Sequence, residues 1–233
     1  METSPQTPPQ IGSSSFDRRE ALRRLAVGSA VVWSAPLISQ TAFASSATSC
    51  VNRVLNWNNF AAGSTFNSTV VSGTTITLSG SAFFGGSAAR PANRTIRAAP
   101  IGAINTRGLE LNQDAVEDGG QVISLTFSQT VWAVSFTITD VDRSEDNWSD
   151  RVSILPPATF GFSFPPGSGV SGAGTLANPF RNTTNFNYDD NSPAGNVLVT
   201  MPGPLTTITI RFACASDDGS NQRINFTNIL FCA

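Results

Sequence analysis

The segment with the most chemical potential runs from residue 138 to residue 154 and reads "ITDVDRSEDNWSDRVSI". Oxygen-rich loops of this kind bind calcium, whereas guanidinium groups close by pair with carboxylates instead. Three interpretations are open: an ion-pair network at the rim of the fold, a bound calcium ion, or a solvated turn between strands. The candidate binding or calcium-ligating residues are Asp140, Asp142, Asp146, Trp148 and Asp150.

Two arginines within this segment favour the ion-pair network. Arg143 and Arg151 are predicted as the rim partners, because the planar guanidinium fork matches a carboxylate. An EF-hand is excluded, since Glu145 occupies the position of the turn glycine and Arg151 that of the bidentate glutamate. Bound calcium would therefore need further oxygen ligands, for which the candidates are Asp189, Asp190, Asp217 and Asp218.

Tryptophan side chains in the chain admit different roles. Trp148 is interpreted either as a plug folded over the rim or as a stacking platform for a sugar ring, with Asn147 and Asp150 as polar neighbours. Trp57 and Trp132 lie within strand patterns, so we expect both in the core.

Composition excludes most catalytic chemistries. The chain has no histidine and no lysine, which rules out Ser-His-Asp and Cys-His pairs, imidazole metal sites, Schiff bases and P-loops. A net charge of −2 gives no attraction to nucleic acid or to an anionic membrane. Only carboxylate chemistry survives, and a glycoside hydrolase could draw on Glu110, Glu117 or Glu145. No catalytic signature accompanies them, so we predict no enzyme activity.

Residues 1–44 have the order of a signal peptide. A polar, disordered stretch (1–16) precedes basic "DRREALRR", apolar "LAVGSAVVWSAPLI" and small-residue "SQTAFASS". Ala42 and Ala44 are the small residues that signal peptidase reads, which predicts cleavage after Ala44. The apolar helix is shorter than the ~20 residues of a spanning helix. We expect no stable membrane span after cleavage.

The basic region resembles the twin-arginine export signal. Arg18, Arg19 and Leu22 match its two arginines and its leucine, and Ala21 stands where the pattern prefers phenylalanine. The resemblance implies the twin-arginine translocase as a transient partner, and "VVWSAPL" is similar to actinobacterial secreted proteins. The alternatives are an ordinary Sec signal and an uncleaved signal anchor.

After residue 45 the hydrophobic period is two, which predicts an all-β domain. Ile123, Leu125 and Phe127 alternate with hydroxyl residues, as do Val134 and Phe136 further on. The intervening "SQT" predicts a hairpin between these two runs. We therefore expect residues 45–233 to form a single antiparallel two-sheet β-sandwich, jelly-roll-like, preceded by the signal-peptide helix.

Eight further strands are predicted from the same alternation and from the Gly- and Pro-rich turns between them. They are Val51–Trp57, Thr74–Ser79, Gly108–Asn112, Arg151–Leu155, Thr159–Phe164, Val197–Met201, Thr206–Cys214 and Arg223–Phe231.

Two stretches, "ISLTFSQTVWAVSFTITDVDR…WSDRVSI" and "PLTTITIRFACAS…NQRINFTNILF", resemble β-sandwich domains of bacterial surface proteins with C-terminal sorting tails. That group includes actinobacterial secreted relatives. The resemblance covers about the last half of the chain and implies the fold only. The sequence departs from the group in lacking such a tail, so wall attachment by that route is not predicted.

Three cysteines in an exported chain suggest one disulfide. Cys214 shares a strand face with Ile208, Ile210 and Phe212, so it is expected to point inward. Antiparallel pairing of the first and last strands favours Cys50–Cys232, and Cys50–Cys214 stays open as the alternative.

The sequence as a whole predicts an exported, non-catalytic β-sandwich of the cell envelope or medium. It would act as a binding or structural module, with an extracellular glycan as the candidate ligand and no resident cofactor unless calcium binds. The alternative function is a carboxylate-dependent hydrolase of extracellular polysaccharide.

Overall fold

The computed structural model describes residues 50–144, 147–215 and 219–233. The described residues belong to one compact unit, Thr48–Ala233. Within these ranges no helix is long and apolar enough to cross a membrane. The export-signal predictions lie outside the described residues; they concern Arg18, Arg19, Leu22, Ala42 and Ala44.

The described chain is built from β-strands, with one short 3₁₀ helix at Trp57–Asn59. The first nine strands are β1 Asn52–Leu55, β2 Ser68–Val71, β3 Thr74–Leu78, β4 Ala82–Phe84, β5 Ala88–Ala89, β6 Thr95–Arg97, β7 Gly108–Ala115, β8 Gly120–Thr139 and β9 Arg143–Ser144. The remaining strands are β10 Trp148–Ile154, β11 Gly161–Ser163, β12 Val170–Ser171, β13 Arg181–Asn182, β14 Val197–Met201, β15 Leu205–Cys214, β16 Gly219–Phe226 and β17 Ile229–Cys232.

Strand β8 is shared by two antiparallel layers. Its first half pairs with β3, β4 and β15, and β15 continues through β10 to β9. Its second half pairs with β14, β16 and β17, which lead on to β11, β7 and β1. Phe127 in the first layer contacts Phe231 in the second, with ring centroids 5.5 Å apart. The all-β, sandwich-like prediction is therefore confirmed, while the finer jelly-roll likeness stays a prediction.

The predicted "SQT" hairpin is wrong, because β8 runs without a turn through Ser128, Gln129 and Thr130. The burial phase shifts within the strand instead. Val131 and Val134 are both fully buried, and Ala133 between them has φ +48°. This left-handed residue moves the buried side chains from odd to even positions. One long strand can thus present its apolar face to the core in both layers.

The same phase shift corrects the prediction for Trp132. Trp132 precedes the shift at Ala133 and therefore follows the first phase, in which even-numbered side chains face solvent. It is 42% exposed. Trp57 is fully buried as expected, and its indole N–H donates to the carbonyl of Thr227 over 2.8 Å. The ring of Phe66 meets Trp57 edge-on at 4.9 Å.

The strand predictions hold best where the alternation is long. Val197–Met201 is observed with the predicted bounds. The predicted strand Arg223–Phe231 is two strands, because Thr227 and Asn228 leave the extended path between β16 and β17. The short strands β2, β4, β5, β6, β9, β12 and β13 were not predicted, since runs of two to four residues carry little periodic signal.

The first and last strands pair antiparallel, as predicted, with Asn52 opposite Cys232. A disulfide joins Cys50 to Cys232, whose Cα atoms are 5.5 Å apart. This is the favoured pairing of the two that the sequence left open. Cys214 lies outside the disulfide and is fully buried, in line with its predicted inward orientation.

A small second sheet lies beside β10 at the edge of the first layer. It consists of β12 and β13, which pair through Val170–Asn182 and Ser171–Arg181. Phe180, just before β13, bridges to Val152 of β10. The segment from Gly172 to Arg181 therefore lies beside β10, and Ser153 donates to the carbonyl of Thr175 over 3.1 Å.

Removal of the disulfide tests the pairing of the termini. Because the bond spans 182 residues, we expect the double substitution Cys50→Ala and Cys232→Ala to lower the free energy of unfolding. The expected loss is about 4 kcal/mol, measured by guanidinium chloride unfolding. Cys214→Ala is the matched control and should cost about 1 kcal/mol, since it only removes one buried sulfur. Equal stability of the double variant and the unaltered protein would contradict this account.

Candidate functional site

The acid-rich segment forms a loop between β8 and β10 that closes on itself. Strand β8 ends at Thr139, and Asp140 turns the chain with φ +69°, a conformation that aspartate tolerates better than most residues. Two hydrogen bonds then join the loop ends. The Asp150 amide donates to the carbonyl of Asp142 over 3.0 Å, and the Asp142 amide donates to Asp150 Oδ2 over 3.1 Å.

Asp142 is held by the rest of the loop and by a distant segment. Trp148 Nε1 donates to Asp142 Oδ1 over 2.7 Å, and the backbone amide of Tyr188 donates to Asp142 Oδ2 over 3.0 Å. Both carboxylate oxygens thus have protein donors. The indole N–H of Trp148 is thus tied to the loop. The interpretations of Trp148 as a rim plug and as a sugar platform stay predictions.

Asp150 points into the core and is fully buried. Gln222 Nε2 donates to Asp150 Oδ1 over 3.0 Å, and Gln222 Oε1 accepts from Gln113 Nε2 at 3.2 Å. A carboxylate without partners could not remain in such a place. The two glutamines therefore belong to the same cluster, although they lie on β16 and β7.

Asp140 leads into a second group, made of alternating acids and arginines. Arg223 Nε pairs with Asp140 Oδ2 at 2.6 Å, and its Nη2 reaches Asp190 Oδ1 at 3.4 Å. Arg97 extends this row of ion pairs. Its Nη2 lies 2.5 Å from Asp190 Oδ2, and its Nη1 lies 2.8 Å from Glu110 Oε2. The ion-pair network is therefore present at this edge of the second layer, and its cations are Arg97 and Arg223.

The predicted partners Arg143 and Arg151 are not the cations of this network. Neighbouring side chains on a strand point to opposite faces, so Arg151 faces outward while Asp150 faces inward. Arg151 pairs instead with Asp118 at 2.6 Å. Arg143 has an exposed side chain on β9, directly after the buried Asp142. Proximity in sequence placed these arginines beside the acids but on the wrong face.

Burial separates the remaining interpretations of the segment. The exposed fractions of Asp140, Asp142 and Asp150 are 6%, 4% and 0%, which argues against a solvated turn. Asp146 lies outside the described residues, as do Asp217 and Asp218. In the ranges that the structure describes, no three or more acidic or sulfur side chains form a group able to hold a metal ion. Calcium binding stays a prediction.

Burial perturbs the titration of all three aspartates in the same direction. It raises the pKa of Asp142 to about 7, and the charge of Asp140 adds to the effect. Burial also raises the pKa of Asp150 well above its usual range, with the charge of Asp142 as the second cause. The pKa of Asp140 is raised by burial despite the opposing attraction of Arg223. These carboxyls hold protons more firmly in the folded state than in the unfolded chain.

Glu110, the first candidate for carboxylate catalysis, is also committed to internal contacts. It is 3% exposed, and besides Arg97 it accepts a hydrogen bond from Asn112 Nδ2 at 2.9 Å. Glu117 lies in the exposed turn that precedes β8, and Glu145 lies outside the described residues. The structure does not bring Glu110 and Glu117 together, since Glu110 lies near the start of β7 and Glu117 lies beyond its end.

The partners that sequence reasoning missed are distant along the chain: Arg97, Gln113, Tyr188, Asp190, Gln222 and Arg223. One signal was available, because "NQRINF" places Arg223 outward and Ile224 inward on a strand with strong alternation. Which acid this arginine would meet depends on strand order, and the sequence does not carry that information. No protein-family model, curated protein or solved structure matches this chain.

The raised carboxyl pKa values predict an inverted pH dependence of stability. Between the unfolded value of 3.8 and the folded value of about 7, the folded state binds protons that the unfolded state has released. Stability should therefore fall as the pH rises through this window, by at most about 1.4 kcal/mol per pH unit for each titrating group. The chain has no histidine, so few other groups titrate there. Guanidinium chloride unfolding between about pH 5.5 and about pH 8 measures the slope.

Asp150→Asn tests the origin of this slope. The amide has the same shape but carries no charge. Its oxygen can accept from the Asp142 amide and its NH2 group can donate to Gln222 if the side-chain amides of Gln222 and Gln113 both rotate. We expect the variant to be more stable than the unaltered protein at about pH 8 and to have a flatter pH profile. Asp114→Asn is the control, because Arg90 and the Asn221 amide lower the pKa of Asp114 despite opposing desolvation. An unchanged slope in Asp150→Asn would contradict the assignment.

Proposed function

We propose that this protein is an exported, non-catalytic β-sandwich module of the cell envelope or the medium, and that its acid cluster is a structural lock. One observation carries the proposal: Asp140, Asp142, Asp150 and Glu110 are buried and bound to protein groups. Carboxylates in this state fix the arrangement of the segments around them and are shielded from an external substrate.

The lock fastens three separate parts of the chain at one edge of the sandwich. Asp142 holds the segment around Tyr188, and the Arg143 amide donates to the carbonyl of Phe186 over 3.2 Å. Asp150 holds β16 through Gln222, and Arg223 of the same strand holds Asp140. Loops that would otherwise move independently are tied to the sheet by these contacts.

Export is supported by the N-terminal pattern and by the disulfide. Arg18, Arg19 and Leu22 match the twin-arginine signal, and Ala44 offers the cleavage position. The Cys50–Cys232 bond hints at an oxidising environment outside the cytosol. The resemblance to β-sandwich domains of bacterial surface proteins belongs to the same proposal.

A glycan is the ligand class that the surface favours. The outer face of the first layer carries hydroxyl groups, and Ser124 Oγ lies 2.9 Å from Thr209 Oγ1 on the adjacent strand. A cleft of about 560 Å³ adjoins this face, and no charged side chain is among its lining residues in the described chain. Its walls are Leu155–Thr159 and residues 203–207 with Thr209. The prolines and leucines among these residues offer apolar contact to a sugar ring, and the threonines offer hydroxyl groups for hydrogen bonds.

The export part of the proposal is tested by replacing the arginine pair. We expect Arg18→Lys with Arg19→Lys to abolish export in a host with an active twin-arginine translocase, because this route requires the pair. Immunoblots of the medium and the cell fraction measure the result. Arg23→Lys with Arg24→Lys is the charge-matched control. Undiminished export of the first variant would contradict the twin-arginine route.

The binding part is tested with the purified protein on a glycan array, with calcium and with chelator. We expect at least one extracellular glycan to bind and no polysaccharide to be cleaved. Release of reducing ends that disappears in Glu110→Gln, but not in Glu117→Gln, would favour the hydrolase. Calorimetric melting with calcium checks the metal prediction, since a resident ion would raise the melting temperature.

A further inference from the structure

A second charged feature lies on the outer face of the first layer, apart from the acid cluster. It is a cleft of about 540 Å³ between β10, β15 and the segment that precedes β13. The residues that line it are Asp118, Arg151, Leu176, Ala177, Pro179, Arg181 and Arg211. We call this cleft the arginine cleft.

Strand register brings the three arginines to the same side of the sheet. Arg151 on β10 lies opposite Ala213 of β15, and Arg211 lies opposite Ser153 two residues further along β10. The two arginines are therefore diagonal neighbours on the outer face. Arg181 follows Phe180, which bridges to Val152 of β10. Three adjacent segments thus each contribute one guanidinium.

Among the described residues that line the arginine cleft, the positive charges outnumber the negative ones. Asp118 pairs with Arg151 through its carboxylate, while Arg211 Nη2 donates to the Asp118 backbone carbonyl at 3.3 Å. Arg181 is exposed, and its side chain makes no hydrogen bond or ion pair with the described residues. Three guanidinium groups and one carboxylate leave two excess positive charges among the lining residues. This excess stands out in a chain whose net charge is −2.

Part of the arginine cleft is lined by apolar residues, and one of its arginines stacks on an aromatic ring beside it. Leu176 is 57% exposed, and Ala177 and Pro179 line the cleft with it. Arg211 stacks on the ring of Phe84, with its Cζ atom 4.4 Å from the ring centroid. Such stacking orients a guanidinium for bidentate contact with an oxyanion. A matching ligand would carry an acidic group next to an apolar face.

We propose that the arginine cleft binds an acidic glycan, a saccharide chain that carries carboxylate or sulfate groups. Arg181 and Arg211 contact the acidic group, and the ring face of the sugar packs on Leu176. The proposal rests on the glycan-binding function proposed above and names its ligand class. Three arginines form a basic patch that is too small for nucleic acid, because a nucleic-acid backbone requires an extended basic surface.

Affinity measurements with single-charge variants test the cleft. The purified, disulfide-bonded protein is passed over immobilised polygalacturonate, dextran sulfate and neutral dextran. We expect binding to at least one acidic polymer, weaker at about 0.5 M than at about 0.05 M salt. Arg181→Gln and Arg211→Gln should each weaken it about tenfold, as loss of one charge-assisted hydrogen bond predicts. Arg143→Gln is the matched control, because this substitution removes one positive charge from an exposed residue of β9 that lies outside the cleft.

The results distinguish binding of an acidic glycan in the arginine cleft from other modes of binding. The acidic polymer that binds identifies carboxylate or sulfate as the recognised group. Equal binding of neutral dextran, equal loss in Arg143→Gln, no binding to either acidic polymer, or preference for a DNA fragment would each overturn the proposal. The Arg181 side chain makes no hydrogen bond or ion pair with the described residues, so its variant should melt like the unaltered protein.

The same data distinguish failure of the cleft from failure of the proposed function. If a neutral glycan from the array binds equally to the unaltered protein and to Arg181→Gln while neither acidic polymer binds, the binding module stands and the arginine cleft is refuted. If Arg181-dependent binding to an acidic polymer occurs while export does not, the cleft stands and the exported role fails.

Discussion

The alternation of side chains along a strand is the constraint on which both charged features depend. On β10 it sends Asp150 into the core and Arg151 to the outer face, one residue apart. Asp150 must then find internal donors, and it finds them in Gln222 and the Asp142 amide. Arg151 is left to pair with Asp118 on the surface. An acidic interior cluster and a cationic outer cleft arise on the same strand for this reason.

Burying carboxylates is costly, and the fold meets that cost with hydrogen bonds and protons rather than with ion pairs alone. Asp140 has Arg223, but Asp142 and Asp150 rely on indole, amide and backbone donors. Desolvation therefore prevails and raises their pKa values. A network of this kind gives one edge of the sandwich a definite arrangement at the expense of stability at neutral pH.

Strand β8 organises the domain because it is a member of both layers. Its twenty residues belong to both layers, and the phase shift at Ala133 lets each half face the core. The strand also ends at Thr139, directly before Asp140, so the route of β8 decides where the acid loop begins. The disulfide between Cys50 and Cys232 closes the sheet edge at the far end of the chain.

The sequence by itself determined the all-β class, most of the long strands, the inward face of β15 and the favoured disulfide. These depend on local alternation and on the order of the first and last strands, which are legible along one chain. Only the tertiary structure decided that β8 is continuous, that Trp132 is exposed, and that Arg97 and Arg223 replace Arg143 and Arg151. The reason is physical: charge pairing and burial phase depend on which strands become neighbours, and segments more than eighty residues apart meet here through sheet order, as Asp140 and Arg223 do.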